Sequence, residues 1–74
     1  MSTIARTASA HPALRRVRDG YWRVTAASGV VLGYVEEVGE GAGIRFRAKR
    51  LFAATRIAEV GEFGDVSEAV ECLR

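Results

Sequence analysis

Arg45, Arg47 and Lys49 stand at every second position of "GIRFRAKRL", residues 43–51, with Ile44, Phe46 and Ala48 between them. On an extended strand this alternation sends the three cations to one face and the three apolar residues to the other. Alternate strand residues lie about 6.5–7 Å apart, close to the spacing of successive phosphates along a DNA strand, so the row could follow a polyanion. It could equally be the wet side of an ordinary strand. Charge is segregated along the whole chain. Arg6, Arg15, Arg16, Arg18 and Arg23 face only Asp19 in the first third. Residues 24–43 carry only Glu36, Glu37 and Glu40, and 44–56 only Arg45, Arg47, Lys49, Arg50 and Arg56. The end carries Glu59, Glu62, Asp65, Glu68 and Glu71 against Arg74. Such blocks favour a polyanion or an acidic protein surface as partner.

Other chemistries are poorly supplied. Glu36 and Glu37 are neighbours, so a strand points them to opposite faces and they make no acid–base pair. Ser28 and Ser67 have no histidine in plausible reach, because His11 lies near the start. One histidine and one cysteine, Cys72, exclude an internal disulfide and the usual four-ligand zinc sets. "GEGAG", 39–43, would need a helix after it to cradle phosphate, and a strand follows instead. No enzyme activity and no cofactor is expected. Ten of the eleven cations are arginine, and the chain has no Asn or Gln. That bias resembles a GC-rich genome, which weakens any argument that arginine was chosen over lysine for its fork geometry.

The scaffold is small. Seventy-four residues make one domain and bury only about 60% of the unfolded surface. Scaffolds of this size often gain stability from a partner, and a homodimer is compatible with the pattern. No secretory leader is visible, and the run "GVVLGYV" is too short to span a bilayer. The expectation is a cytoplasmic protein without membrane contact.

The elements follow from periodicity. Residues 1–20 have no sustained apolar period and are expected to form a flexible basic tail, with one or two helical turns in "PALRRVR" at most. "YWRVTAAS", 21–28, alternates Trp22, Val24 and Ala26 with Tyr21, Arg23 and Thr25, as a strand does. "VVLGYVEE", 30–37, returns after the Ser28-Gly29 turn, and Gly33 inside it marks a bulge or a close approach. "GIRFRAKRL" is a third strand, and a short fourth is expected at about 55–60. In "DVSEAVECLR", 65–74, Asp65 caps and Glu68 completes a capping box. Val66, Ala69, Val70 and Leu73 form its apolar stripe. The expected fold is therefore α+β: an antiparallel meander of three or four strands, residues 21–74, with a C-terminal helix on one face. Trp22, Val24, Ile44 and Phe46 should meet Val70 and Leu73. The other face, with Arg23, Arg45, Arg47 and Lys49, is left to solvent.

"W22-x-V24", the basic strand and "GEFGDVSEAV" at 61–70 together resemble sheet-plus-helix DNA-binding modules, the arm-binding domains of tyrosine recombinases and the plant ethylene-response-factor domain. That resemblance spans about residues 21–74. It implies a three-stranded sheet backed by a helix, its exposed face laid in the major groove, with Arg23, Arg45, Arg47 and Lys49 as the reading positions. The segment 51–60 is longer than such modules need. The expected function is a small nucleic-acid-binding module. Its contacts would be Arg23, Arg45, Arg47, Lys49 and Arg50, with Arg15, Arg16 and Arg18 adding phosphate contacts from the tail. The alternative is a protein-interaction or regulatory module that meets an acidic partner with the basic face or an edge strand.

Overall fold

The computed structural model describes residues 13–74. Five antiparallel strands follow one another in a meander, β1 Ala13–Arg18, β2 Tyr21–Thr25, β3 Val31–Val38, β4 Arg45–Ala53 and β5 Arg56–Phe63. Helix α1, Val66–Leu73, comes last. The α+β class is as expected, but the sheet has five strands rather than three or four. The extra strand is β1, which occupies part of the segment expected to be a tail or a helical turn. Residues 1–12, including Arg6 and His11, lie outside the described residues.

The reason β1 is a strand lies in the turn that follows it. Arg18 pairs with Tyr21 across Asp19-Gly20, and Asp-Gly between extended segments is a strong hairpin signal. Gly20 takes φ +72°, which glycine adopts at no steric cost. Its carbonyl accepts a 2.8 Å bond from the Glu37 amide, tying the turn to β3. The strand period was hidden because a bulge between Arg16 and Arg18 leaves Val17 as an extra residue. Further irregularities fall between Ala48 and Lys49 and between Leu51 and Ala53 in the β4–β5 ladder.

The β2–β3 register shifts beside Gly33. A Cβ there would also strike the Lys49 carbonyl, so Gly33 both sits at a bulge and allows a close approach of β4.

Strand alternation sorts the sheet into two faces. Val24, Val35 and Ala48 are fully buried on one of them, beneath Ala69 and Leu73 of α1. Trp22, Leu32, Phe46, Phe63, Val66, Val70 and Cys72 pack around that centre, and the Trp22 and Phe46 rings meet at 6.2 Å. Ile44 is half-buried and precedes β4, outside this cluster. The helix begins where expected: the Asp65 side chain accepts a 3.0 Å bond from the Glu68 amide. It lies across β3, β4 and β5, and β1 is exposed along its length. Among the described residues no layer covers the other face of the sheet. Among the described residues no helix is long and apolar enough to cross a membrane.

Candidate functional site

Cross-strand partners share a face of a sheet, so the register places each charge on the open side. One row across all five strands reads Arg18, Tyr21, Glu36, Arg47, Glu62. The next reads Arg15, Arg23, Tyr34, Lys49, Glu59. Arg45 continues the β4 row toward the loop. The sequence-predicted residues Arg15, Arg18, Arg23, Arg45, Arg47 and Lys49 therefore do come together on one face.

They are not equivalent. Arg47 reaches Glu62 at 3.1 Å, Glu59 at 3.4 Å and Glu36 at 3.9 Å. Lys49 Nζ lies 2.7 Å from Glu36 Oε1. Arg45 donates a 3.4 Å bond to the Glu62 carbonyl. The hydrogen bond from Lys49 is the main force holding the Glu36 carboxyl below its ordinary range, with the charges of Lys49, Arg47 and Arg18 adding to it. The hydrogen bond to Glu62, then the charge of Glu59, push the Arg47 guanidinium above its ordinary range. Arg47 Nε is buried and makes no hydrogen bond, although Glu59 stands beside it. On β3–β5 two of the three cations, Arg47 and Lys49, thus meet three carboxylates, and Arg45 meets only a backbone carbonyl.

On β1–β2 the open face carries Arg15, Arg18 and Arg23, with no carboxylate on the same two strands. Among the described residues none of these three forms an ion pair. Arg15 stands directly opposite Arg23, a like-charge cross-strand pair, which is destabilising by itself. Arg18 lies 4.2 Å over the Tyr21 ring, a cation–π arrangement. Tyr21 stacks on Tyr34 with centroids 5.5 Å apart and planes 11° apart. Lys49 Nζ is 5.3 Å from the same ring. The two tyrosines serve one another and the neighbouring cations.

Two predicted contacts lie elsewhere. Arg50 pairs with Gly33 in the ladder and sits on the helix-covered face. Its Nη2 donates a 2.7 Å bond to the Cys72 carbonyl at the end of α1. Cations are favourable at helix C-termini, so Arg50 holds the helix to the sheet. Arg16 is opposite Trp22, also on the helix side, and makes an exposed 3.5 Å pair with Asp19.

The acids that neutralise β4 come from strands on either side of it, which alternation along one strand does not reveal. Asp19-Gly20 was the available signal for β1 and hence for the Arg15–Arg23 pair. Among the described residues no group of three or more His, Cys, Asp or Glu side chains could hold a metal ion. Comparison of the chain with family models, curated proteins and solved structures finds no match in any of the three.

Proposed function

We propose that the protein is a small non-enzymatic nucleic-acid-binding module whose phosphate contacts come chiefly from Arg15, Arg18 and Arg23 on β1–β2, with Arg45 of β4 on the same face. The observation that carries this reading is the Arg15–Arg23 pair. Two guanidiniums held opposite one another on an open face, with no carboxylate to offset them, lower their mutual repulsion when a polyanion settles between them. Arg47 and Lys49 already have anionic partners, so phosphates would have to displace Glu36, Glu59 and Glu62 to reach them.

An acidic protein segment adding a strand to β1 is the second reading. It is favoured by the position of β1 at the sheet edge, where among the described residues one side of its backbone has no partner strand. Anisotropy titrations with labelled nucleic acid at several salt concentrations separate the two. About four neutralised phosphates would make log affinity fall against log salt with a slope of about −3.6 on duplex DNA. Replacing Arg15, Arg18 and Arg23 together by Ala should flatten that slope by about 2.7 units. No binding to duplex or single strand at low salt would remove the nucleic-acid reading and leave the acidic protein partner.

A further inference from the structure

Building on the nucleic-acid reading, we infer that the target is duplex DNA and that the sheet enters the major groove edge-on, with the β1–β2 hairpin leading. Width decides against face-on docking. Five strands span four inter-strand spacings, about 19 Å from backbone to backbone. The major groove of B-DNA is about 12 Å wide and about 8.5 Å deep, and it admits a helix or a two-stranded ribbon. A three-stranded sheet, at about 10 Å, could lie flat there, but this one is too broad. Its open face also carries Glu36 on the central strand and Glu59 and Glu62 on the far edge strand β5, carboxylates that the phosphates flanking the groove would repel.

The β1 edge meets neither obstacle. α1 lies over β3–β5 and leaves β1 exposed on both faces. β1 carries arginine toward both walls of a groove: Arg15 and Arg18 on the open face, Arg16 on the helix side. The Arg16–Asp19 pair has side chains 67% and 101% exposed. Such a surface pair is weak and yields to a phosphate. Arg15 stands at the middle of the edge, placed to reach guanine O6 and N7, the commonest arginine readout of a base. Arg23 lies one strand behind it, at the height of the phosphate wall.

The same geometry selects among nucleic acids. Single-strand binders offer free aromatic faces for base stacking, but beside the unpaired arginines Tyr21 and Tyr34 stack on one another and Tyr21 carries Arg18. The exposed Phe52 stands on β4, away from the β1–β2 edge. The major groove of duplex RNA is too deep and narrow for side chains to read. Duplex DNA, whose major groove admits a two-stranded ribbon, is the target that a leading hairpin fits.

Dimethyl sulfate footprinting of the wild-type complex tests this directly, because the reagent methylates guanine N7 in the major groove and adenine N3 in the minor groove. Anisotropy on the same duplex, measured in parallel, establishes occupancy. The expected result is protection at guanine N7 with adenine N3 unchanged. Arg15→Ala should lose at least half of that protection at matched occupancy, and circular dichroism should show its sheet intact. Single-stranded DNA and duplex RNA of the same sequence should bind at least tenfold more weakly at equal salt. Binding to duplex DNA with no N7 protection would overturn the edge-on inference and leave the nucleic-acid reading standing. Equal affinity for single strands would do the same. Absence of binding to any nucleic acid would overturn both.

Discussion

Arg23 on β2 and Arg47 on β4 are both alternating arginines of the same open face, separated by a single strand. Arg47 lies within 3.9 Å of three carboxylates, whereas Arg23 stands between Arg15 and Tyr34. Their own strands do not distinguish them, because each is a cation flanked by apolar residues. The distinction comes from what the neighbouring strands deliver at the same height. β3 and β5 bring Glu36, Glu59 and Glu62 to β4, and β1 brings only arginines to β2. The electrostatics of a sheet face belong to its rows across strands rather than to any one strand, and every proposal above depends on which half of the face holds unpaired charge.

Releasing the neutralised half should have the largest effect on this contrast. In a Glu36→Gln, Glu59→Gln, Glu62→Gln variant, Arg47 and Lys49 lose their anionic partners and become available to phosphate. The salt slope on duplex DNA should steepen by about two units, about 0.9 for each newly engaged cation, with affinity rising at low salt. An unchanged slope would show that the carboxylates are not what withholds these cations. Replacing Arg45, Arg47 and Lys49 together by Ala tests the same point from the other side. Only Arg45 is unpaired with an acid, so the slope should flatten by no more than about one unit. A loss near three units would mean the row acts as its sequence pattern alone suggests.

Much of the scaffold was legible in the sequence. The capped helix, the four later strands and the core positions Trp22, Val24, Phe46, Val70 and Leu73 follow from period and capping, because burial imposes a repeat on residue type. β1 was not, since its Val17 bulge breaks the repeat and its side chains are exposed. The site was half legible. Alternation placed Arg23, Arg45, Arg47 and Lys49 on one face, but the register needed to see their partners depends on bulges near Gly33 and Val60. Arg50 was misplaced for a related reason. It follows Lys49 directly, so it reads as part of the basic run, and alternation turns it to the other face.

Arg50 provides the next test, on stability. Its bond to the Cys72 carbonyl joins β4 to the end of α1, and a charge-assisted bond of this kind contributes about 1.5–3 kcal/mol. Arg50→Ala should lower the midpoint of urea unfolding and the melting temperature, by about 4–8 °C per kcal/mol in a domain of this size. The salt slope of binding should not change. Arg23→Ala should do the reverse, flattening the slope by about 0.9 while leaving stability unchanged or slightly raised, because it removes one side of a like-charge pair. A slope change in Arg50→Ala at full stability would return Arg50 to the binding surface.

The smallest expected effect is in acid. The folded carboxyl of Glu36 is held below its ordinary value of 4.5, first by the hydrogen bond from Lys49. A depressed carboxyl binds its proton less readily in the folded than in the unfolded chain, so its contribution to stability is fully present above about pH 4.5. It is lost as the pH falls through the lower folded value, where both states become protonated. Glu36→Gln should therefore lose a little stability at neutral pH and show a shallower decline below pH 4.5. Arg47 titrates above this range and contributes no slope there, but its charge helps to hold Glu36 ionised, so Arg47→Ala should reduce the acid dependence in part. Urea midpoints for the three proteins between pH 3 and pH 7 would measure this. If all three followed parallel curves, the ion pairs of β3–β5 would be too weak to order that half of the face. Its cations would then be as free as those of β1–β2, and the contrast between the halves would vanish.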